Sequence, residues 1–191
     1  MKRKYMRIPF GNIENRVTVV LCRKPMQRGL VGMVRGKAVG CDIPIVMDTT
    51  PTNQMEYEYA ALCSLGNGLG VIQLTSGVVA GIRRGDPFAR TCLFHELGHF
   101  LKRHLLIPGF QSDEYDRERY RIASEGGILP QEVEADAFAS EYIGIKAVAA
   151  GLGAIRDLQR EKLGNPAYNQ EEVEVSIREL DNRIRSLLEG Q

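Results

Sequence analysis

The sequence predicts an α+β fold. Three observations carry that reading: strand-like segments lie before residue 75, helical patterns dominate after residue 86, and 191 residues with 43% apolar composition suffice for one compact core. A single domain over 1–191 is expected, with its core at about 70–150 and a C-terminal helix at about 169–189.

The first strand is Val17-Thr18-Val19-Val20-Leu21-Cys22, β-branched and apolar. Ile43-Pro44-Ile45-Val46-Met47 is a second, which its proline pushes toward a sheet edge. Residues 53–64 carry Met55, Tyr59, Leu62 and Cys63 at helical spacing, between the capping candidates Thr52 and Asn53 and the turn Gly66-Asn67-Gly68. A short helix is expected there. Val71-Ile72-Gln73-Leu74-Thr75 reads as another strand, followed by a basic loop through Gly81, Arg83, Arg84 and Gly85. Asp86 then offers an N-cap and Pro87 a favoured first-turn residue. An apolar helical pattern continues through Leu93, Phe94, Leu97, Phe100, Leu101 and Leu105 to Pro108-Gly109.

Residues 111–127 are dense in charge and read as an exposed helix or solvated connection. A further helix is expected from about Pro130 to Ala149, with Val133, Ala137, Phe138 and Tyr142 near one face and Gly151-Leu152-Gly153 closing it. Asn169 opens a capping box with Glu172, and Val173, Ile177, Leu180, Ile184 and Leu187 then recur in steps of four and three. Two heptads are too few for a coiled coil. This amphipathic helix is expected to dock on the body, with a dimer or partner contact as the alternative.

Composition removes several function classes. The net charge of +1, from 25 basic and 24 acidic residues, supplies no field for nucleic acid or an anionic membrane. The basic start Met1-Lys2-Arg3-Lys4 leads into no apolar signal core, and the weakly charged stretch 60–82 is broken by Gly66, Asn67, Gly68 and Gly70, so no membrane span is expected. Cys22, Cys41, Cys63 and Cys92 form no Cys-x-x-Cys pair, and reduced thiols in a cytoplasmic protein are the expectation.

The chemistry concentrates in His95-Glu96-Leu97-Gly98-His99. At about 100° per residue, His95 and His99 lie about 40° apart and one turn along the axis, so both imidazoles can reach one ion. Glu96 falls beside that ion. Zinc acidifies a water it holds, and an adjacent carboxylate can take the proton and return it to a leaving amine, which gives Glu96 the part of catalytic base. Two of the three histidines in the chain are spent here. Gly98 costs roughly 1 kcal/mol against alanine in a helix interior, so a close approach of a neighbouring strand or of substrate is expected at it.

A catalytic zinc needs a third protein ligand and one open position. His104, about 140° from His99 and about 180° from His95 on the same helix, points away from the ion and is expected as a surface residue or helix-dipole partner. The better candidate is Glu132 in Glu132-Val133-Glu134-Ala135-Asp136, with Asp136 one turn later on the same face to accept the spare N–H of a ligand histidine. Glu134 lies about 200° from Glu132, so both cannot be ligands on a regular helix. Two imidazoles and a carboxylate suit zinc, and would also accept manganese, cobalt or iron. An oxyanion donor stays open among Tyr115, Tyr120, Tyr142 and His104.

With these residues in place, the chain resembles the gluzincin peptidases, and among them the ImmA/IrrE family of small metallopeptidases. The resemblance rests on His95-Glu96-Leu97-Gly98-His99 followed by Glu132-Val133-Glu134-Ala135-Asp136-Ala137-Phe138-Ala139, and covers roughly residues 70–145. It implies a minigluzincin core, a short twisted sheet packed on the motif helix and on a second ligand-bearing helix. It implies one zinc on His95, His99 and Glu132, Glu96 as base, and a regulatory protein such as a transcriptional repressor as substrate. Two alternatives accompany it: a non-catalytic zinc-binding regulatory module, and a toxin or effector peptidase of a mobile element.

Overall fold

The computed structural model describes residues 5–12, 16–22, 29–37, 40, 42–47 and 60–190. The fold is α+β. Among the described residues six strands, β1 (Tyr5–Phe10), β2 (Val17–Cys22), β3 (Leu30–Gly36), β4 (Ile43–Met47), β5 (Ala60–Gly66) and β6 (Leu69–Leu74), form one mixed sheet in the order β1-β2-β3-β4-β6-β5. Neighbours are antiparallel except β4 and β6, which run parallel. Alternation sets the inner face: Val17, Val19 and Leu21 of β2 and Ile43 and Ile45 of β4 are buried almost completely.

Pro44 does not put β4 at an edge, because β4 lies between β3 and β6. Pro44 sits near the strand's start, opposite Met33, and the parallel ladder with β6 begins one residue later at Ile45. Its missing N–H therefore falls ahead of that ladder. The helix expected over 53–64 also gives way: residues 53–59 lie outside the described residues, and 60–64 belong to β5. Asn67 and Gly68 both have positive φ, 52° and 73°, the two-residue turn whose twist suits a hairpin, and it pairs β5 with β6.

Six helices follow: α1 (Ser76–Arg84), α2 (Pro87–Leu101), α3 (Asp113–Ser124), α4 (Pro130–Ile143), α5 (Ile145–Arg160) and α6 (Gln170–Glu189). The segment expected as a basic loop is the second half of α1. Thr75 caps that helix, its buried Val78, Val79 and Ile82 hold it to the core, and Gly85 ends it at φ 83°. The helix expected over 130–149 is two helices. Gly144, at φ 87°, breaks it, and α5 continues through Gly151 and Gly153 to Arg160. Gly151 is needed there because α5 lies directly against the Thr91 side chain of α2, in the space a Cβ would occupy.

Helix α2 is the hub, touching β5 and β6 on one side and α1, α4 and α5 on others. A Cβ on Gly98 would stand 2.9 Å from both Cα and O of Ala135, so the close approach at Gly98 is made by the backbone of a helix, α4, rather than by the strand or substrate expected. Helix α6 packs on α5, α3 and α4, burying Val173 and Leu180 on its own chain. Among the described residues, no helix is long and apolar enough to cross a membrane.

Candidate metal centre

Asp86 Oδ1 accepts from Phe88 N at 3.0 Å and starts α2, and Leu93, Phe94 and Leu97 anchor the helix in the core. That anchoring leaves His95, Glu96 and His99 along one wall of a cleft of about 630 Å³. Because Gly98 lets α4 come close, Glu132 and Asp136 arrive one helical turn apart over the two imidazoles. His95 Nε2 lies 3.0 Å from His99 Nε2 and 3.1 Å from Glu132 Oε2, and His99 Nε2 lies 3.6 Å from Glu132 Oε1.

These three donors fit a metal. A tetrahedral zinc with bonds of about 2.0–2.1 Å separates its donors by roughly 3.3–3.4 Å, the scale found here. Two imidazole Nε2 atoms at 3.0 Å also need a proton or a cation between them, since otherwise their lone pairs face each other. The electrostatics ask for the same thing. Burial and Arg183 oppose a proton on His95, but hydrogen bonds with Asp136 and Glu132 outweigh them and raise its pKa to about 10. Burial and the neighbouring His95 push His99 down to about 3. Burial likewise opposes charge on Glu132, yet the His95 hydrogen bond and the Arg183 charge hold its carboxyl well below the usual range. Positive charge is drawn into the donor triangle.

Asp136, expected to accept the spare N–H of a ligand histidine, has its Oδ1 2.9 Å from His95 Nδ1. With a metal in place of the Nε2 proton, an Asp136 that accepts the Nδ1–H would leave the Nε2 lone pair of His95 facing the triangle. Glu96 lines the same cleft. Of the four residues left open as oxyanion donors, Tyr115 and Tyr120 line the cleft. Tyr142 instead stacks on Phe94, with ring centroids 5.4 Å apart. Tyr115 donates its hydroxyl to Glu132 Oε1 at 3.1 Å, and burial, followed by the Glu132 charge, holds the phenol protonated well above its ordinary range.

His104 is neither at the surface nor turned away. Helix α2 ends at Leu101, Arg103 takes a left-handed conformation at φ 62°, and the chain doubles back through a short 3-10 turn, His104–Leu106. The ring, only 2% exposed, brings Nδ1 to 2.7 Å from His99 Nδ1, and its Nε2 lies 3.2 Å from Glu134 Oε2. The helical wheel fails at this residue because the helix stops three positions earlier.

Sequence reasoning missed Arg183 altogether. From α6 its Nε and Nη2 bind Asp136 Oδ2 and Oδ1 at 2.8 and 2.7 Å, and Nη1 lies 3.1 Å from Glu132 Oε2. Glu179, one turn earlier and buried, lies 3.9 Å from Arg183 and 3.6 Å from Arg119. The faint signal was an i,i+4 Glu-Arg pair flanking Leu180 and Ile184, which reads more simply as a solvated edge. No protein-family model, curated protein or solved structure matches this chain.

Proposed function

We propose that the protein is a zinc-dependent endopeptidase of the gluzincin type, similar to the ImmA/IrrE metallopeptidases, with His95, His99 and Glu132 as ligands and Glu96 as base. The observation that carries this reading is the convergence of three donors, 3.0 to 3.6 Å apart, on a cleft that Glu96 also lines. The cleft suits a polypeptide: Ala60–Cys63 of β5, at one end of the sheet order, form another wall, and a terminal strand offers backbone groups to an extended chain.

Held by His95, His99 and Glu132, zinc would supply Lewis acidity toward a peptide carbonyl and would make a water more acidic. Glu96 takes one proton from a water at a carboxylate oxygen as the water oxygen bonds to the carbonyl carbon, and delivers it to the amide nitrogen as the C–N bond breaks; the second proton of the water passes to the same nitrogen, leaving a carboxylate and an ammonium. Asp136 keeps the proton of His95 on Nδ1. Arg183 balances the charge of Asp136 and Glu132. The substrate is proposed to be a regulatory protein such as a transcriptional repressor, cleaved within an extended segment. Cytoplasmic localisation belongs to the same proposal.

Elemental analysis under mild chelation, paired with cleavage of an extended-peptide library, tests the reading. One equivalent of zinc is expected in the wild type and in the Glu134→Ala and Glu96→Gln variants, and none in Glu132→Ala. Cleavage should fall by about 10²–10⁴-fold in Glu96→Gln with its zinc intact. A wild type that holds no zinc sinks the proposal. Zinc without Glu96-dependent cleavage leaves a zinc-binding module in its place.

A further inference from the structure

His104 and Glu134 take no part in lining the cleft, yet they stand in line behind His99. The turn that carries His104 is firmly seated. Leu105 lies against Gly70 and Leu106 against Gly68, where added Cβ atoms would come within 3.0 and 3.1 Å of their methyl groups. Phe110 closes the other side, its ring centroid 5.3 Å from His99 and 5.8 Å from His104. The imidazole of His104 is therefore held by packing as well as by its two polar contacts.

Only one proton arrangement suits every atom in this line if His99 is to bind a cation. His99 turns Nε2 toward His95 and Glu132, so that nitrogen must carry the lone pair and the proton must sit on Nδ1. A carboxylate oxygen of Glu134 facing His104 can only accept, which places the proton of a singly protonated His104 on Nε2, 3.2 Å away. His104 Nδ1 is then a bare acceptor, 2.7 Å from the His99 Nδ1–H. The opposite arrangement, with His104 donating from Nδ1, would put the His99 proton on Nε2 and abolish a metal bond there.

We propose that His104 and Glu134 form a positioning chain that fixes the Nδ1–H tautomer of His99 and strengthens its bond to the metal. The inference rests on the zinc reading above and extends it to residues outside the ligand set. It also gives the two ligand histidines matching supports by different means: an aspartate for His95, and a histidine backed by a glutamate for His99.

Zinc affinity, measured by competition with a chromophoric chelator, gives one test. His104→Leu should weaken binding about 10–100-fold, the usual effect of losing such a partner. His104→Asn, whose amide oxygen can accept the same N–H, should recover most of it. Glu134→Ala, changing a half-exposed side chain, should fall at the weak end of that range while keeping its zinc under mild chelation, and Glu134→Gln, which still accepts, should match the wild type. Long-range ¹H–¹⁵N imidazole spectra of the zinc-loaded, unsubstituted protein give a second test that needs no variant to fold. They should show His104 protonated at Nε2 alone and His99 at Nδ1 alone. A wild type that binds zinc while His104→Leu binds it equally well, or a His104 protonated at Nδ1, overturns this inference and leaves the peptidase proposal standing. A wild type that binds no zinc overturns both.

Discussion

Arg183 is the residue on which the buried charges depend. Its side chain and those of Asp136 and Glu132 are each less than a tenth exposed, so none can use water as a counter-charge. In the zinc-free protein, Arg183→Met should cost about 3–5 kcal/mol, read as a lower urea midpoint, because two buried carboxylates lose their cation. Arg183→Lys should recover only part of this, since an ammonium lacks the fork that grips both oxygens of Asp136. Acid should weaken the same network. Burial opposes charge on Asp136, but Arg183 and His95 outweigh it and hold the folded pKa below the ordinary 3.8. Its contribution is therefore present above 3.8 and lost as the pH falls through the lower folded value. The urea midpoint should drop in that window, and Asp136→Asn should remove this part of the drop. At this scale the sequence was readable where local geometry fixes neighbours, as for His95 with His99 and Glu132 with Asp136. It was silent where the partner comes from a distant helix, as with Arg183.

Gly98 governs the meeting of α2 and α4. Alanine there would gain about 1 kcal/mol of helix propensity. Its methyl would also stand 2.9 Å from the backbone of Ala135, which can yield only by moving α4. Overpacking of that kind costs about 1–3 kcal/mol, so Gly98→Ala should lower thermal stability on balance. It should also weaken zinc binding, because Glu132 moves with α4. Elements with one dominant signal were legible: the strands at 17–22 and 43–47 and the Asn169-capped helix stand within a residue of their expected places. Residues 60–64 read as the end of a helix because four residues at helical spacing made the Asn67-Gly68 turn look like a helix stop rather than the hairpin between two strands. The end of α2 was misread because Leu105 continues the apolar pattern beyond the last helical residue, Leu101.

Across the whole molecule, the sheet supports α2, α4 brings the acidic donors, and α6 closes the charge network while its Val173, Ser176 and Leu180 help line the cleft. The α+β class followed from the division of the chain into a strand-rich and a helix-rich part. Strand order did not, since the parallel pairing of β4 with β6 leaves no local trace in either strand. The docking of α6 has a kinetic consequence. Arg183 lies 47 residues from Asp136 and 88 from His95 along the chain, so its contacts carry a loop-closure cost, and they form only once the last helix has docked on the body. Substitutions at Arg183 should therefore accelerate unfolding while leaving the refolding rate nearly unchanged, a φ-value near zero in a chevron measurement. The charge network that completes the centre would then be among the last features to form and the first to come apart.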